Sequence, residues 1–237
     1  MTHAITDQIS TSKSATAQAT VLVLAIHGSP GDPARAREEF AFLDDPARPL
    51  ELLVLNDKDL PAAVQLGRIA QAHPDAQLLV APFLLGEGFH YRHDLVPAIE
   101  AAARVGASVR LLPIFGLAEA FLRALHLAVY EQAPSGYASP IAWLVPGGTA
   151  VANELRDALE LIRPDLAAHS TWYALTRAEL PASLATDALP IVAVLRDGRI
   201  TENLRRAWQG RHAPRALFST RHLQAALGAW LGIALPV

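Results

Sequence analysis

Two short stretches of this chain gather side chains suited to chemistry. "AIHGSPGDP" (25–33) places His27 directly behind the apolar run "TVLVLAI", with Gly28 and Ser29 turning the chain. "LLGEGFHYRHD" (84–94) places Glu87, Phe89, His90, Tyr91, Arg92 and His93 behind the apolar run "AQLLVAP". Imidazole is a good ligand for divalent first-row metals, and with an ordinary pKa near ~6.5 it accepts a proton at neutral pH. Two imidazoles from different loops facing one cleft supply a metal site of few ligands and a base together. The HGSPG turn admits a second reading, the oxyanion-hole turn of a serine hydrolase, which needs a nucleophile elsewhere. The chain has no G-x-S-x-G elbow, His27 stands where the elbow's first glycine would be, and there is no cysteine to substitute. The imidazole reading is the stronger.

These loops have to be positioned by something, and the rhythm of the chain says what. Apolar runs at 20–26, 50–56, 76–85 and 108–115 read as strands, separated by segments of helical period at 33–45, 60–73 and 93–105 and followed by one at 117–133. After "PSGYASP" (134–140) the rhythm restarts. Strand-like runs at 141–147, 169–175, 189–196 and 214–220 alternate with helical segments at 152–162, 177–185, 200–209 and 223–237. Continuous apolar strands between helices predict parallel sheets covered on both faces. Four strand–helix units in each half indicate an internal duplication. The expected fold is α/β, two similar lobes, each a parallel four-stranded sheet flanked by helices. Residues 1–18 are expected to form a flexible leader, 19–133 the N-terminal lobe with the active site, and 134–237 a degenerate C-terminal lobe. In open α/β sheets ligands bind beyond the carboxyl ends of the strands, where both His27 and His90 fall. The second half keeps the glycines of the matching turns and has lost both imidazoles.

Composition removes several classes. A net charge of −3 gives no electrostatic reason to expect a nucleic-acid or acidic-membrane surface. Without cysteine there is no disulfide framework and no thiolate metal site. No P-loop and no G-x-G-x-x-G occurs, so neither a nucleotide nor any other organic cofactor is expected. The start lacks the basic and apolar regions of a secretory signal, and no apolar run reaches the roughly 18 residues that read as a membrane span. The expectation is a soluble, cytoplasmic protein without nucleic-acid or membrane partners, a monomer or homodimer.

"VAPFLLGEGFHYRHDLVPAIEAA" (80–102), taken with "VLAIHGSPGDP", resembles the sirohydrochlorin cobaltochelatase and ferrochelatase family, the class II tetrapyrrole chelatases, in their long duplicated form. In that family the first strand ends in H-G-S. The third ends in P-x-F-L-x-x-G-x-H, followed by D-[IL]-P. Pro82, Phe83, Leu84, Gly88, His90, Asp94, Leu95 and Pro97 stand close to those positions, and "LLPIFG" (111–116) looks like the family's P-P-L-G strand end. The detailed resemblance covers roughly residues 20–130.

The resemblance implies an ATP-independent lyase that inserts a divalent metal, Co²⁺ or Fe²⁺, or Ni²⁺, into sirohydrochlorin or a related precorrin. The product would serve cobalamin or sirohaem synthesis, with the metal as substrate and the tetrapyrrole as partner. His27 and His90 become the catalytic, metal-holding and proton-accepting pair, with His93 and Glu87 as candidate further ligands. Gly28, Ser29, Phe89, Tyr91 and Arg92 become candidates for holding the ring and its carboxylates. Each supporting residue also has an ordinary reading. Ser29 can be a helix cap, Glu87 a solvated loop carboxylate, His93 a cap near Asp94, Arg92 a surface cation, and one of Phe89 and Tyr91 plain core. Where many family members carry a histidine after P-P-L-G, this chain has "FGLAEAF", with Glu119 as the candidate stand-in. A non-catalytic metal or tetrapyrrole carrier on the same fold is the alternative from another class.

Overall fold

The computed structural model describes residues 19–28, 33–132, 140–146, 148–175, 179–185, 187–196, 199–209, 213–217 and 221–232. In the first sheet β1 (Thr20–Ile26) lies between β2 (Leu50–Val54) and β3 (Gln77–Phe83), with β4 (Val109–Leu111) beyond β3, all parallel. In the second, β5 (Ile141–Pro146) lies between β6 (Ser170–Leu175) and β7 (Leu189–Val192), with β8 (Arg215–Ala216) beyond β7. The orders β2-β1-β3-β4 and β6-β5-β7-β8 are one topology used twice. The fold is α/β with two parallel sheets flanked by helices, and the division proposed for the chain at 133/134 falls within 133–139, outside the described residues.

Alternation along β1 shows how the layers stack. Val21, Val23 and Ala25 pack against α2 (Ala62–Ala72) and α3 (Val96–Arg104) through Leu66, Ile69, Ala98 and Ala102. Leu22, Leu24 and Ile26 face the other way. They join a larger core with α1 (Pro33–Glu39), α4 (Glu119–Gln132), α5 (Thr149–Ile162) and α8 (Arg221–Leu231), and with Trp143 and Ile191 of the second sheet. Leu144 and Val192, on the outer face of the second sheet, pack on Leu204 of α7 (Arg199–Ala207). The two halves therefore share one apolar interior.

Several elements are shorter than the sequence predicts. Helix 33–45 stops at Glu39 and resumes as a 3₁₀ turn, Ala41–Leu43. The strand predicted over 108–115 is confined to Val109–Leu111; Pro113 brings no N–H to a ladder, and Phe115–Leu117 is a 3₁₀ turn. The helix predicted over 177–185 is absent among its described residues, 179–185, where Pro181 would interrupt the helical ladder. A short helix not predicted, α6 (Pro164–Ala168), leads into β6. No helix among the described residues is long and apolar enough to cross a membrane.

Candidate functional site

His27 is the first residue after β1, and His90 follows β3 by one loop. These strands are neighbours in parallel register, with Ile26 opposite Phe83, so their carboxyl ends open onto the same edge. The structure brings the two imidazoles together: their ring centroids are 4.7 Å apart with planes at 72°.

The turn after His27 is fixed through its backbone, and the His90 ring through a carboxylate. The Gly28 N–H donates to Asn56 Oδ1 at 2.9 Å, tying the turn after β1 to the end of β2. A Cβ on Gly28 would stand 2.6 Å from Val54 Cγ1, so any larger residue in this turn would have to displace the Val54 side chain. The Gly28 N–H is thus committed to Asn56, while Ser29 and the amides after Gly28, expected to face substrate, lie outside the described residues. His90 Nδ1 lies 2.6 Å from Asp94 Oδ2. A neutral ring donates Nδ1–H to that carboxylate and keeps Nε2 as the free lone pair.

The helix between them has a local cause. Tyr91–Leu95 is a turn of π-helix, with the Val96 N–H donating to the Tyr91 carbonyl. Pro97 has no N–H for the His93 carbonyl and its ring would collide with it, which accounts for the widened turn. Beneath the loop, the Gly116 N–H donates to the Leu84 carbonyl at 2.8 Å. The "LLPIFG" run is therefore the floor under the His90 loop.

Electrostatics make the two rings unequal. His27 keeps an exposed outer face, yet the protein behind it lowers its pKa from 6.5 to about 4. Desolvation is the main cause, followed by the charge of a protonated His90; Asp94 opposes the shift and Arg196 adds to it. His27 is neutral at pH 7. Burial and the Glu87 carboxylate raise the Tyr91 phenol above its ordinary 10, so it stays protonated.

The remaining candidates fall into place around this pair. Phe89 is 67% exposed, edge-on to His90 at 5.4 Å and tilted over His93 at 4.5 Å. Tyr91 is partly buried and packs against the outer core. Arg92 lies 3.5 Å from Glu87 and 3.6 Å from Glu154, an ion pairing the sequence reading did not anticipate. Glu119 is paired with Arg123 one turn along α4. Among the described residues no three His, Asp or Glu side chains gather closely enough to hold a metal, so His27 and His90 stand as a pair. Asn56, Arg196 and Glu154 were missed in the sequence. Asn56 had one available signal, its place at the carboxyl end of the second strand.

No family model matches the chain, and no curated protein matches it. Solved structures do. CbiX, described as the terminal enzyme for biosynthesis of siroheme in denitrifying bacteria, superposes with a TM-score of 0.61 at 21% identity, over 92% of this chain and 100% of its own. The sirohydrochlorin chelatase SirB from Bacillus subtilis subspecies spizizenii, solved in complex with cobalt, gives 0.56 at 14% identity, over 87% and 91%. DR2241 from Deinococcus radiodurans, a multi-domain protein with structural similarity to chelatases, gives 0.58 at 14%, over 90% of this chain and 54% of its own. The fold is chelatase-like. At these identities the likeness is one of architecture, and the chemistry rests on the residues above.

Proposed function

We propose that this protein is a metal chelatase, an ATP-independent lyase that inserts Co²⁺ or Fe²⁺ into sirohydrochlorin or a related precorrin, in the cytoplasm, for cobalamin or sirohaem synthesis. The observation that carries the proposal is the paired imidazoles at the carboxyl edge of the first sheet. With a metal–nitrogen bond of about 2.1 Å, two imidazoles on one metal have ring centroids about 4.5 Å apart at a right angle and about 5.3 Å apart at the tetrahedral angle. The 4.7 Å between His27 and His90 lies in that interval.

The surroundings of the two rings support a division of labour. Insertion takes the metal from the protein and two protons from pyrrole nitrogens, so it needs a site that releases metal and a group that accepts protons. Two neutral nitrogens, with water completing the shell, hold a divalent ion weakly enough to hand it over. His27, whose protonation the fold disfavours, serves as a ligand only. His90 accepts one of the two pyrrole protons at the Nε2 that the departing metal frees, its protonated ring gaining a counter-charge from Asp94 at 2.6 Å, and the other proton passes to solvent water. Phe89 offers an exposed apolar face beside His90 for a planar ring.

The test is anaerobic: protein, sirohydrochlorin and one metal at a time, followed by absorption. Insertion should run well above the spontaneous rate in wild type and fall to the spontaneous rate in His27→Ala and His90→Ala. A double alanine variant with full activity ends the proposal. A carrier would bind metal or ring without accelerating insertion, so the same assay separates the two readings.

A further inference from the structure

The loop that carries His90 is gripped from the other half of the chain. Glu154 lies early in α5, whose Val151, Leu155 and Leu159 are buried in the shared core. Its Oε2 accepts the Glu87 N–H at 2.9 Å, and its Oε1 lies 3.6 Å from Arg92 Nη2. One carboxylate therefore holds the loop on both sides of His90, by backbone at 87 and by side chain at 92. The glycines of "GEG" fit this contact. A Cβ on Gly86 would stand 2.6 Å from Glu154 Oε2, and one on Gly88 would stand 3.3 Å from Val151 Cγ2. Without side chains at 86 and 88, α5 can lie directly against the loop.

We infer that Glu154 is a positioning residue: through the Glu87 amide and Arg92 it sets His90 opposite His27. The half that has lost its own imidazoles braces those of the other. Of the two contacts, the charge-assisted bond to the Glu87 N–H is the stronger. The pair with Arg92 is largely exposed and worth little. Glu154→Gln keeps an acceptor oxygen for the amide and should preserve the geometry, whereas Glu154→Ala should lose it. Its consequence for metal handling rests on the proposed function; the placement of His90 does not.

The decisive measurement uses the full metal-free chain with ¹⁵N-labelled histidine. Wild type should show a ring-to-ring NOE between His27 and His90. Glu154→Ala should abolish that contact and shift the His90 ring nitrogens, and Glu154→Gln should retain both. Gly86→Ala, whose methyl displaces the end of Glu154, should reproduce the alanine variant and add nothing to it in the double variant. An unchanged His90 signal and an intact ring contact in Glu154→Ala overturn the inference. Co²⁺ titration of the same proteins reads the consequence: about tenfold weaker binding for Glu154→Ala, at the lower end of what lost outer-shell partners cost. A wild type that binds no Co²⁺ ends the metal reading, while the NMR result still decides the role of Glu154.

Discussion

At the scale of residues, two imidazoles 4.7 Å apart have different surroundings, and the division of work proposed for them follows from that difference. His90 has a carboxylate partner; His27 has desolvation and nearby positive charge. The depressed pKa of His27 makes a signed prediction. In the unfolded chain this group protonates near ~6.5, and in the fold at about 4. Between those values the unfolded state binds the additional proton, so the group's contribution to stability is complete above pH 6.5 and is lost as pH falls through 4. Urea unfolding of wild type should therefore weaken more steeply between pH 6.5 and 4 than that of His27→Gln. An NMR titration should place the His27 midpoint at about 4 and move it upward in His90→Gln, which removes one depressing charge. An unshifted midpoint near 6.5 in wild type would show that the ring is not desolvated and that the division of roles is wrong. The sequence made the pair legible because each histidine sits just past an apolar run. It concealed the inequality, because that depends first on how the packed fold desolvates His27, then on Asp94 meeting His90 through a π-turn, and least on Arg196 arriving from the second half.

At the scale of elements, the site depends on how one strand end supports another. Gly116 belongs to the 3₁₀ turn after β4, and its Cα lies against the backbone of the loop leading to His90. A Cβ there would stand 2.6 Å from the Leu85 carbonyl oxygen and 2.8 Å from the Leu85 carbonyl carbon, and backbone cannot step aside as a side-chain tip can. Gly116→Ala should cost about 1–3 kcal/mol in chemical denaturation, the usual range for overpacking. It should also slow metal insertion by more than the lost stability explains, because the displaced segment carries His90. Equal activity with normal stability would mean that loop and turn are not rigidly coupled. Strand positions were legible where apolar runs were continuous. Two boundaries failed at prolines: Pro113 truncated a predicted strand, and Pro181 lies where a helix was predicted and turns are found, whereas the first helix stops at Glu39 with no proline at the break. Pro97 did something subtler, and no hydrophobic period encodes the π-turn ahead of it.

At the scale of the molecule, the repeated strand–helix rhythm was visible in the sequence, whereas the strand order and the way the halves combine were not. An apolar strand face looks the same whether it packs on its own helices or on a neighbour's. Here Leu22, Leu24 and Ile26 of β1 share a core with Trp143 of β5 and with Leu223 and Leu227 of α8. Phe115, beside the site, lies 5.2 Å from the Trp230 ring. Arg196, in the loop after β7, binds Glu39 of α1 at 2.7 Å and lies over the Phe40 ring at 5.6 Å. The helix that follows the His27 turn and the loop that carries His90 are thus both held by the second half, which has no imidazoles of its own at the matching turns. If the duplicated half were a relic, residues 19–133 should fold alone and keep the histidine pair. The shared core predicts the opposite. Large side chains such as Leu22, Leu24, Phe115, Phe121 and Leu125 would lose part of their cover, each worth about 1.5–3 kcal/mol when fully buried, and a domain's whole stability is only about 5–15 kcal/mol. The isolated segment 19–133 should give a poorly dispersed ¹H–¹⁵N spectrum, bind ANS and show no His27–His90 contact. A well-dispersed spectrum with the two rings still in contact would mean that the first half needs no brace, and that the second must be kept for work of its own.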